Sequence, residues 1–379
     1  DPKVLNAVAV SLKLKGTPKN IVVSDGKLKL DDSQATFSAQ ASEFDKPNLK
    51  ADLNLDSIDL DRYLSPPTKD KADTDAADKP AAEPAAKKTD YTPLRRLVMD
   101  ARFKAGELKV QKARMQNLEV RVSARNGIFQ LDPLKIDLYQ GNLAGTGTLN
   151  VQKEKPTTVM ELALKGIQAG PLVKDVMAKA LIEGTMAAEI GLNFTGDTPD
   201  RIRQTLNGKG DLRFTDGAIV GIDLASMVRN VQTAFGLAQQ PSEKPRTDFA
   251  ELQLPYTITS GLFKTDASRL VSPLLRVRVA GNADLTKETL DFRVEPKFVA
   301  TIQGQGDTAQ RTGIQVPVMV SGSFASPTFT PDLKAILGQQ LGTPLPDKEA
   351  LKKMMPSKED TNKMMQEGVK GLLKGLGNQ

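Results

Sequence analysis

Residues 8–15 read VAVSLKLK, and this stretch decides the fold class. Every second residue is Val or Leu, and the two lysines stand between them. In a β-strand, successive side chains point to opposite faces, so this spacing gives one apolar face and one polar face. The stretch therefore predicts a strand of a sheet that buries one side.

The same alternation returns along the chain. It recurs at residues 27–30, 49–56, 118–122, 134–138, 275–279 and 290–294. Antiparallel sheets with one covered face have this pattern. Asp25-Gly26, Asn126-Gly127 and Asp216-Gly217 predict hairpin turns between strands. Helical spacing is confined to short runs, for which we predict helices over 172–177, 222–235 and 331–337. The sequence thus predicts a mainly β protein with an antiparallel sheet and a few short helices.

Composition narrows the chemistry that the chain can perform. Its 379 residues include no Cys, His or Trp. Thiol nucleophiles, His-based proton relays and zinc sites built on Cys or His are therefore excluded. We predict no catalytic residues, no cofactor and no metal site. The net charge of +6 is mild and aromatic residues make up 4% of the chain, so we do not expect nucleic acid as a partner.

Two motifs resemble a phosphate-binding loop and a catalytic carboxylate pair, and we interpret both as structural. Residues 213–231, RFTDGAIVGIDLASMVRNV, carry glycines that match neither a Walker loop nor a dinucleotide fingerprint. We interpret them as a strand, a tight Asp-Gly turn and an amphipathic helix with Asp223 as its N-cap. The carboxylates at Asp31-Asp32, Asp59 and Asp61 are placed on a solvated outer face rather than across a glycosidase cleft.

A polar segment divides the chain. Residues 65–92 read SPPTKDKADTDAADKPAAEPAAKKTDYT, and the first 26 of them include no Val, Ile, Leu, Met or Phe. Such a segment cannot bury enough apolar surface to offset its ordering entropy. We predict a disordered linker whose deletion leaves the flanking strands folded. It would separate a strand-rich part, residues 1–64, from a larger β domain, residues 93–346.

The last segment, residues 347–379, has helical spacing. Within it, NKMMQEGVKGLLKGLGNQ (residues 362–379) places Met, Val and Leu on one stripe and lysines beside it. We predict an amphipathic helical tail. This pattern fits a helix lying in an anionic membrane surface, and it fits equally a helix that caps the end of the sheet.

The apolar faces of so many strands must be covered by something. One possibility is a sheet that closes on itself around a packed core. The other is a groove whose apolar floor meets an apolar ligand. Alternation and composition leave both open.

Five segments, in order, resemble the AsmA family. Residues 212–224, LRFTDGAIVGIDL, resemble the hallmark segment near the C-terminal end of these proteins. The other four segments resemble further elements of the family: residues 56–64 ("L-D-L-D-R-Y-L"), 138–141 ("L-Y-x-G"), 166–172 ("G-I-x-x-G-P-L") and 316–324 ("V-P-V-x-I-x-G-T"). The resemblance extends to about Asp332.

The resemblance implies the C-terminal portion of a longer periplasmic protein, whose N-terminal inner-membrane anchor is absent here. The family is similar to bridge-like lipid transfer proteins, in which an elongated, twisted sheet curls into a hydrophobic groove. It implies phospholipid binding and transfer between the inner and outer membranes, with outer-membrane contact by the tail as a further expectation. The alternative is a non-enzymatic scaffold or assembly factor for outer-membrane protein biogenesis.

On this basis the inward residues of the alternating strands become candidates for the floor of the lipid groove, with Lys135 and Arg278 facing outward. The candidates are Val8, Val10, Leu12, Leu14, Leu53, Leu55, Val120, Val122, Ile136, Leu138, Leu162, Leu164, Ile190, Leu192, Leu212, Phe214, Leu275, Val277, Val279, Leu290, Phe292, Val294, Val316 and Val318.

Overall fold

A computed structural model describes residues 4–63, 89–110, 113–177, 181–221, 223–224, 245–273, 275–298 and 317–332. The prediction of a mainly β chain with few short helices is confirmed, because seventeen strands of these ranges belong to one twisted sheet. The strands are β1 (Val8–Thr17), β2 (Asn20–Leu30), β3 (Ser33–Ser42), β4 (Asn48–Asp59), β5 (Val98–Val110), β6 (Ala113–Arg125), β7 (Ile128–Leu138), β8 (Gly141–Asn150), β9 (Thr157–Gln168), β10 (Ile182–Thr195), β11 (Asn207–Val220), β12 (Arg246–Thr259), β13 (Leu262–Val271), β14 (Leu275–Asp284), β15 (Thr289–Phe298), β16 (Val318–Ser323) and β17 (Pro327–Pro331).

The helices are short. They are α1 (Thr92–Arg96), α2 (Ala169–Met177) and α3 (Pro199–Thr205), together with a 3-10 helix at Leu60–Arg62. The helix expected over 172–177 is confirmed as part of α2. The helix α3 was not predicted, although Thr198 caps it and proline opens its first turn. Of the helices in the described ranges, none is long and apolar enough to cross a membrane.

Several predictions concern residues outside the described ranges. These are the linker over residues 65–88, the helix at 222–235 apart from 223–224, the helix at 331–337 apart from 331–332, the tail at 347–379 and the groove candidate Val316. Thr92, the last residue assigned to the linker, begins α1.

Neighbouring strands in the sheet follow one another in sequence, and one pair differs from the expected antiparallel arrangement. From β1 to β4 and from β5 to β9 each strand runs antiparallel to the next. In contrast, β4 and β5 run parallel, with Asn48 opposite Val98 and Asp59 opposite Lys109. Among the strand pairs whose register is described, this one departs from the predicted antiparallel arrangement. Parallel strands need a long connection, and residues 60–97 supply it.

The parallel pair sets the distance that the connection has to span if the polar segment is deleted. After Asp59 the chain has to return along β5 to the level of Val98, a distance of about 36 Å at the rise of a strand. Deletion of residues 65–90 would leave twelve residues, 60–64 and 91–97, some of them helical. Those residues would have to be almost fully extended to cover the distance. We therefore expect the deletion to unwind the 3-10 helix and α1.

Two of the three expected Asp-Gly and Asn-Gly turns lie inside strands instead of between them. Only Asn126-Gly127 joins two strands, β6 and β7. Asp25-Gly26 lies within β2, where the register shifts against both neighbouring strands, and Asp216-Gly217 lies within β11. Both aspartates have a positive φ, of 52° and 50°. An Asp tolerates that backbone in a bulge as readily as in a turn, so the dipeptide alone does not distinguish them.

The chain divides into two compact units. The first comprises residues 1–178, 186–210 and 259–261, and the second comprises residues 179–185, 211–258 and 262–379. Strands β1 to β9 lie in the first unit, and β13 to β17 lie in the second.

Candidate functional site

The register of the first unit places apolar side chains directly opposite one another from strand to strand. One row crosses β3 to β9, and each of its members is paired with the next: Phe37, Leu53, Phe103, Val120, Leu134, Gly145 and Leu162. A second row lies beside it: Ala39, Ala51, Ala101, Val122, Leu131, Gly147 and Met160. Since paired residues share a face, the seven strands have a common apolar side.

We call this side the apolar face. It consists of Ala35, Phe37, Ala39 and Ala41 of β3, Leu49, Ala51, Leu53 and Leu55 of β4, Met99, Ala101, Phe103 and Ala105 of β5, Leu118, Val120, Val122 and Ala124 of β6, Phe129, Leu131, Leu134, Ile136 and Leu138 of β7, Leu143, Gly145, Gly147 and Leu149 of β8, and Met160, Leu162 and Leu164 of β9. None of these residues is charged. Six strand spacings separate β3 from β9, so the face extends about 29 Å across the strands.

Charged residues of the same strands lie on the opposite side. Four ion pairs join neighbouring strands there: Arg102 with Asp52 at 3.3 Å, Lys104 with Glu119 at 3.2 Å, Arg121 with Asp100 at 2.8 Å and Lys135 with Glu119 at 3.8 Å. These pairs are solvent-exposed, and each contributes little to stability. Their position shows that charge and apolar surface lie on opposite sides of the sheet from β4 to β7.

The apolar face is only partly covered. Within it, Ala35, Ala105, Leu118 and Ala124 are buried, three of them alanines, whereas the larger side chains are half-buried and Leu53 is 36% exposed. Among the described residues of this unit, strands β1 to β9 pack mainly on their sheet neighbours, and the helices in closest contact with them are the 3-10 helix at β5 and α2 at β9. Neither helix forms a layer over the face. An apolar surface of this extent normally marks a contact with lipid or with a protein partner.

The second unit is packed differently. Its rows include Val279, Val294 and Val318, and Gly281, Phe292, Val320 and Phe329. Several large side chains here are nearly inaccessible, with Leu270, Leu275, Val277, Phe249 and Val318 exposed by 3% or less. Others, among them Val279, Phe292 and Val294 of these rows, are half-buried. This unit therefore has a packed core, in contrast to the partly covered face of the first.

The structure distributes the described groove candidates over four environments. On the apolar face lie Leu53, Leu55, Val120, Val122, Ile136, Leu138, Leu162 and Leu164. Half-buried on later strands are Ile190, Leu192, Leu212, Val279, Leu290, Phe292 and Val294. Buried are Phe214, Leu275, Val277 and Val318. The outward residue Lys135 lies on the charged side, in its ion pair with Glu119.

The four candidates of β1 are exposed. Val8 and Val10 pair with Leu30 and Leu28, and Leu14 pairs with Val23, whereas Leu12 lies at the register shift. Their side chains are 57%, 57%, 64% and 44% exposed, in the order Val8, Val10, Leu14 and Leu12.

Sequence reasoning missed much of the apolar face. Phe37, Met99, Phe103, Phe129 and Leu134 belong to it and were not among the candidates. The alternation that predicts a strand is present in β3, where Ala or Phe alternates with Gln, Thr or Ser over residues 34–40. Alanine carries little apolar weight, so this strand was not recognised from its period.

The carboxylates of the polar motifs hold chain segments together. Asp31 accepts hydrogen bonds from the backbone nitrogens of Leu5, Asn6 and Ala7 at 2.8–3.0 Å and from the Tyr63 hydroxyl at 2.7 Å. These donors, the Tyr63 hydroxyl foremost, lower the pKa of Asp31 to about 2. The "L-D-L-D-R-Y-L" element thus ties the end of β4 to the segment before β1.

Asp59 and Asp61 belong to the same end of β4. Lys109 Nζ of β5 lies 2.7 Å from an oxygen of Asp59 and 3.7 Å from an oxygen of Asp61. Both carboxylates therefore pair with a lysine of the neighbouring strand, in agreement with their interpretation as structural. In the described part of the chain, no cluster of three or more acidic residues could hold a metal ion.

Two more of the recognised motifs contact each other. Gly141, of the "L-Y-x-G" element, lies so close to the backbone of Lys165 and Gly166 that a side chain would clash. Tyr139 of the same turn donates to Asp175 of α2 at 2.8 Å. Burial, and then this hydrogen bond, raises the pKa of Tyr139 to about 12. These residues fix how β8, β9 and α2 meet.

The hallmark segment is also structural where it is described. Ala218 is fully buried, and a side chain at Gly217 would clash with the backbone of Glu183. Beyond β11, Leu224 is buried, and its backbone nitrogen donates to the Thr247 hydroxyl at 3.0 Å. In the described residues this segment joins strand ends, as expected from the absence of a phosphate-loop pattern.

Comparison with known protein families gives a match. The profile of the AsmA family matches residues 5–267. Comparison with curated proteins and with solved structures gives no match.

Proposed function

The chain belongs to the AsmA family, and from this premise we propose that its apolar face binds phospholipid acyl chains and conducts them between the inner and outer membranes. Membership of the AsmA family suggests a role in lipid transport or in assembly of the cell envelope. Phospholipids are the proposed ligands. The periplasm is the proposed location. Attachment to the inner membrane in the full-length protein and outer-membrane contact through the tail are part of the same proposal.

One observation carries the proposal. The apolar face is uncharged over seven strands, half-buried, and without a second layer among the described residues of its unit. Exposing an acyl chain to water costs about 0.8 kcal/mol per CH₂ group, so a two-chain lipid does not readily cross an aqueous gap. A surface that accepts the chain along its length lowers that cost at every step.

The proposed role is non-catalytic. Transfer along such a face requires apolar contact and an absence of charge, and no bond is made or broken. The exposed ion pairs lie on the charged side of the sheet, so they face water and are kept away from the ligand.

The packed core of the second unit favours a second candidate function. Leu270, Leu275 and Val277 are exposed by 2% or less, as expected of a unit that works through its outer surface. We therefore keep a scaffold or assembly role in outer-membrane protein biogenesis as the alternative. It predicts a protein that functions without bound lipid.

Lipid capture from vesicles tests the proposal. The protein is incubated with phospholipid vesicles and re-isolated, and bound lipid is counted by mass spectrometry. We expect the wild-type protein to carry phospholipid and Val120→Asp to carry several-fold less, because an unpaired charge on an apolar surface costs several kcal/mol. Val120→Asn separates charge from shape, and we expect it to carry more lipid than Val120→Asp.

Thr36→Asp is the control for an added charge. Thr36 is exposed on the polar side of β3, opposite Asn54 and Lys27, so we expect this variant to bind lipid like the wild type. Circular dichroism establishes that each variant retains its strands. A wild-type protein without bound lipid would overturn the proposal in favour of the scaffold role.

A further inference from the structure

Four cationic side chains of the second unit lie together on one side of the sheet. They are exposed, and they alternate along their strands with buried residues such as Leu270, Leu275 and Val277. Since successive residues of a strand point to opposite faces, the cations lie on the side opposite the packed core. We call these four residues the basic cluster: Arg269 of β13, Arg276 and Arg278 of β14, and Lys297 of β15.

The register places like charges directly opposite one another in the basic cluster. Arg269 is paired with Arg278 across β13 and β14, and Arg276 is paired with Lys297 across β14 and β15. The four positions therefore fall within an area of about 10 Å by 7 Å, which is two strand spacings by one two-residue step. Like charges directly opposite each other on neighbouring strands destabilise a sheet. The fold keeps this arrangement in spite of that cost.

No carboxylate of the described residues neutralises these cations. None of the four forms an ion pair in the part of the chain that the structure describes. Glu295 is directly opposite Arg278, but its carboxylate pairs with Arg293, at 2.7 Å from the Nε atom. The basic cluster therefore has a surplus of positive charge.

Neutral acceptors orient two of the guanidinium groups without removing their charge. Arg269 donates from Nε and Nη2 to the side-chain oxygen of Gln253, at 3.2 and 3.0 Å. Arg276 donates from Nη1 to the backbone oxygens of Ser272 and Leu275, at 2.6 and 3.0 Å. Two of the four charges are thus held in position in advance, which lowers the entropy cost of binding an anion.

The first unit contains the same opposition of two arginines, but with carboxylates present. Arg102 and Arg121 are directly opposite each other across β5 and β6. Each has a carboxylate partner, Asp52 at 3.3 Å for Arg102 and Asp100 at 2.8 Å for Arg121. Opposed arginines are therefore neutralised within the sheet there, whereas in the basic cluster the described residues leave them for an anion from outside.

We propose that the basic cluster binds the phosphate groups of an anionic membrane surface. Arginine suits this ligand because its planar guanidinium group can donate two parallel hydrogen bonds to one phosphate. All four side chains are exposed on an open side of the sheet, so a surface that presents several phosphates side by side meets all of them at once. This inference goes beyond the proposed function, because it assigns to the second unit a membrane contact that does not use the apolar face.

Co-sedimentation with vesicles tests this inference. The full chain is mixed with vesicles of phosphatidylcholine alone or with vesicles that also contain the anionic lipid phosphatidylglycerol, and the bound fraction is measured over a range of lipid concentrations. We expect tighter binding to the anionic vesicles. For the double variant Arg278→Gln/Lys297→Gln we expect this binding to weaken about 25-fold, at about fivefold for each cation near the membrane surface.

The double variant is chosen so that the fold is not disturbed. In the described part of the chain, neither Arg278 nor Lys297 forms a side-chain hydrogen bond or an ion pair. Circular dichroism verifies that the strands are retained. The matched control is Arg102→Gln/Arg121→Gln, which removes the same charge from arginines that already have carboxylate partners, and we expect it to bind anionic vesicles like the wild type.

Inorganic phosphate distinguishes a membrane from a free ion. Added to the vesicles at constant ionic strength, it should leave the bound fraction unchanged, because a single ion does not meet all four cations. Displacement of the protein by inorganic phosphate would overturn the assignment of a membrane as the ligand.

Two further results would overturn the inference. One is equal binding of the wild-type protein to neutral and anionic vesicles. The other is binding to anionic vesicles that Arg278→Gln/Lys297→Gln retains, which would assign the contact to the lysine-bearing tail at residues 362–379. Lipid captured by the apolar face is counted separately, on re-isolated protein, so either proposal can fail without the other.

Discussion

At the level of single residues, the Asp31 carboxylate joins the segment before β1 to the end of β4. This carboxylate gathers three backbone donors and one tyrosine hydroxyl, and these lower its pKa from 3.8 to about 2. The folded protein therefore binds this proton less readily than the unfolded chain does. The stabilisation is present above pH of about 4 and is lost as the pH falls through about 2.

We expect Asp31→Asn to unfold at a lower temperature than the wild type at pH 6, and the difference to shrink as the pH falls towards 2. Thermal unfolding followed by circular dichroism across this range measures it. Asp32→Asn is the control, since Asp32 forms only an exposed pair with Arg62 at 3.0 Å, for which a small effect is expected. If the difference in unfolding temperature between Asp31→Asn and the wild type stayed constant with pH, the charge of the Asp31 carboxylate would not be the source of the stabilisation.

Two glycines of β8 give a matched pair of substitutions. A side chain at Gly141 would clash with the backbone of β9, whereas one at Gly147 would meet its nearest neighbours at 3.6–3.7 Å, an ordinary contact distance. We expect Gly141→Ala to lower the free energy of unfolding by about 1–3 kcal/mol, as overpacking does. Gly147→Ala should be nearly neutral. Denaturant titration of both variants compares them, and equal effects would mean that the contact between β8 and β9 is not close at Gly141.

At the scale of secondary structure elements, the connection between β4 and β5 makes a sharp prediction. Because the strands are parallel, residues 60–97 must span about 36 Å. We expect deletion of residues 65–90 to separate β4 from β5 and to lower the thermal stability of the first unit. Replacement of the same residues by a Gly/Ser segment of equal length should be tolerated, because reach and not composition is required. Equal stability of the deletion and the replacement would contradict the parallel pairing.

The pairing of β4 with β5 also shows what the sequence alone does not predict. Alternation in residues 49–56 identified β4, and the polar segment identified a break in the chain. Neither pattern contains the direction in which the next strand pairs, because direction depends on partners distant in sequence. The Asp-Gly pairs of β2 and β11 failed for a related reason. A turn and a bulge use the same backbone angles, and only the pairing of flanking residues separates them.

At the scale of the whole molecule, period two was sufficient to predict a β protein with apolar and charged sides. It was not sufficient to predict which apolar side chains of neighbouring strands lie opposite one another. Register decides that Phe103 lies between Leu53 and Val120, and that Gly145 separates Leu134 from Leu162. The difference between the partly covered face of the first unit and the packed core of the second also depends on tertiary contacts. Both Leu55 and Leu275 come from alternating strands, yet Leu55 is half-buried and Leu275 is 1% exposed.

The central claim is that acyl chains lie on the apolar face and not on the charged side. Leu134 and Lys135 are neighbours in β7 with opposite orientations, and so are Phe103 and Lys104 in β5. A photo-reactive amino acid placed singly at each of these four positions, followed by irradiation with phospholipid vesicles and mass spectrometry, tests the claim directly. We predict lipid adducts at positions 103 and 134 and a many-fold lower yield at 104 and 135. Equal yields at all four positions would contradict it.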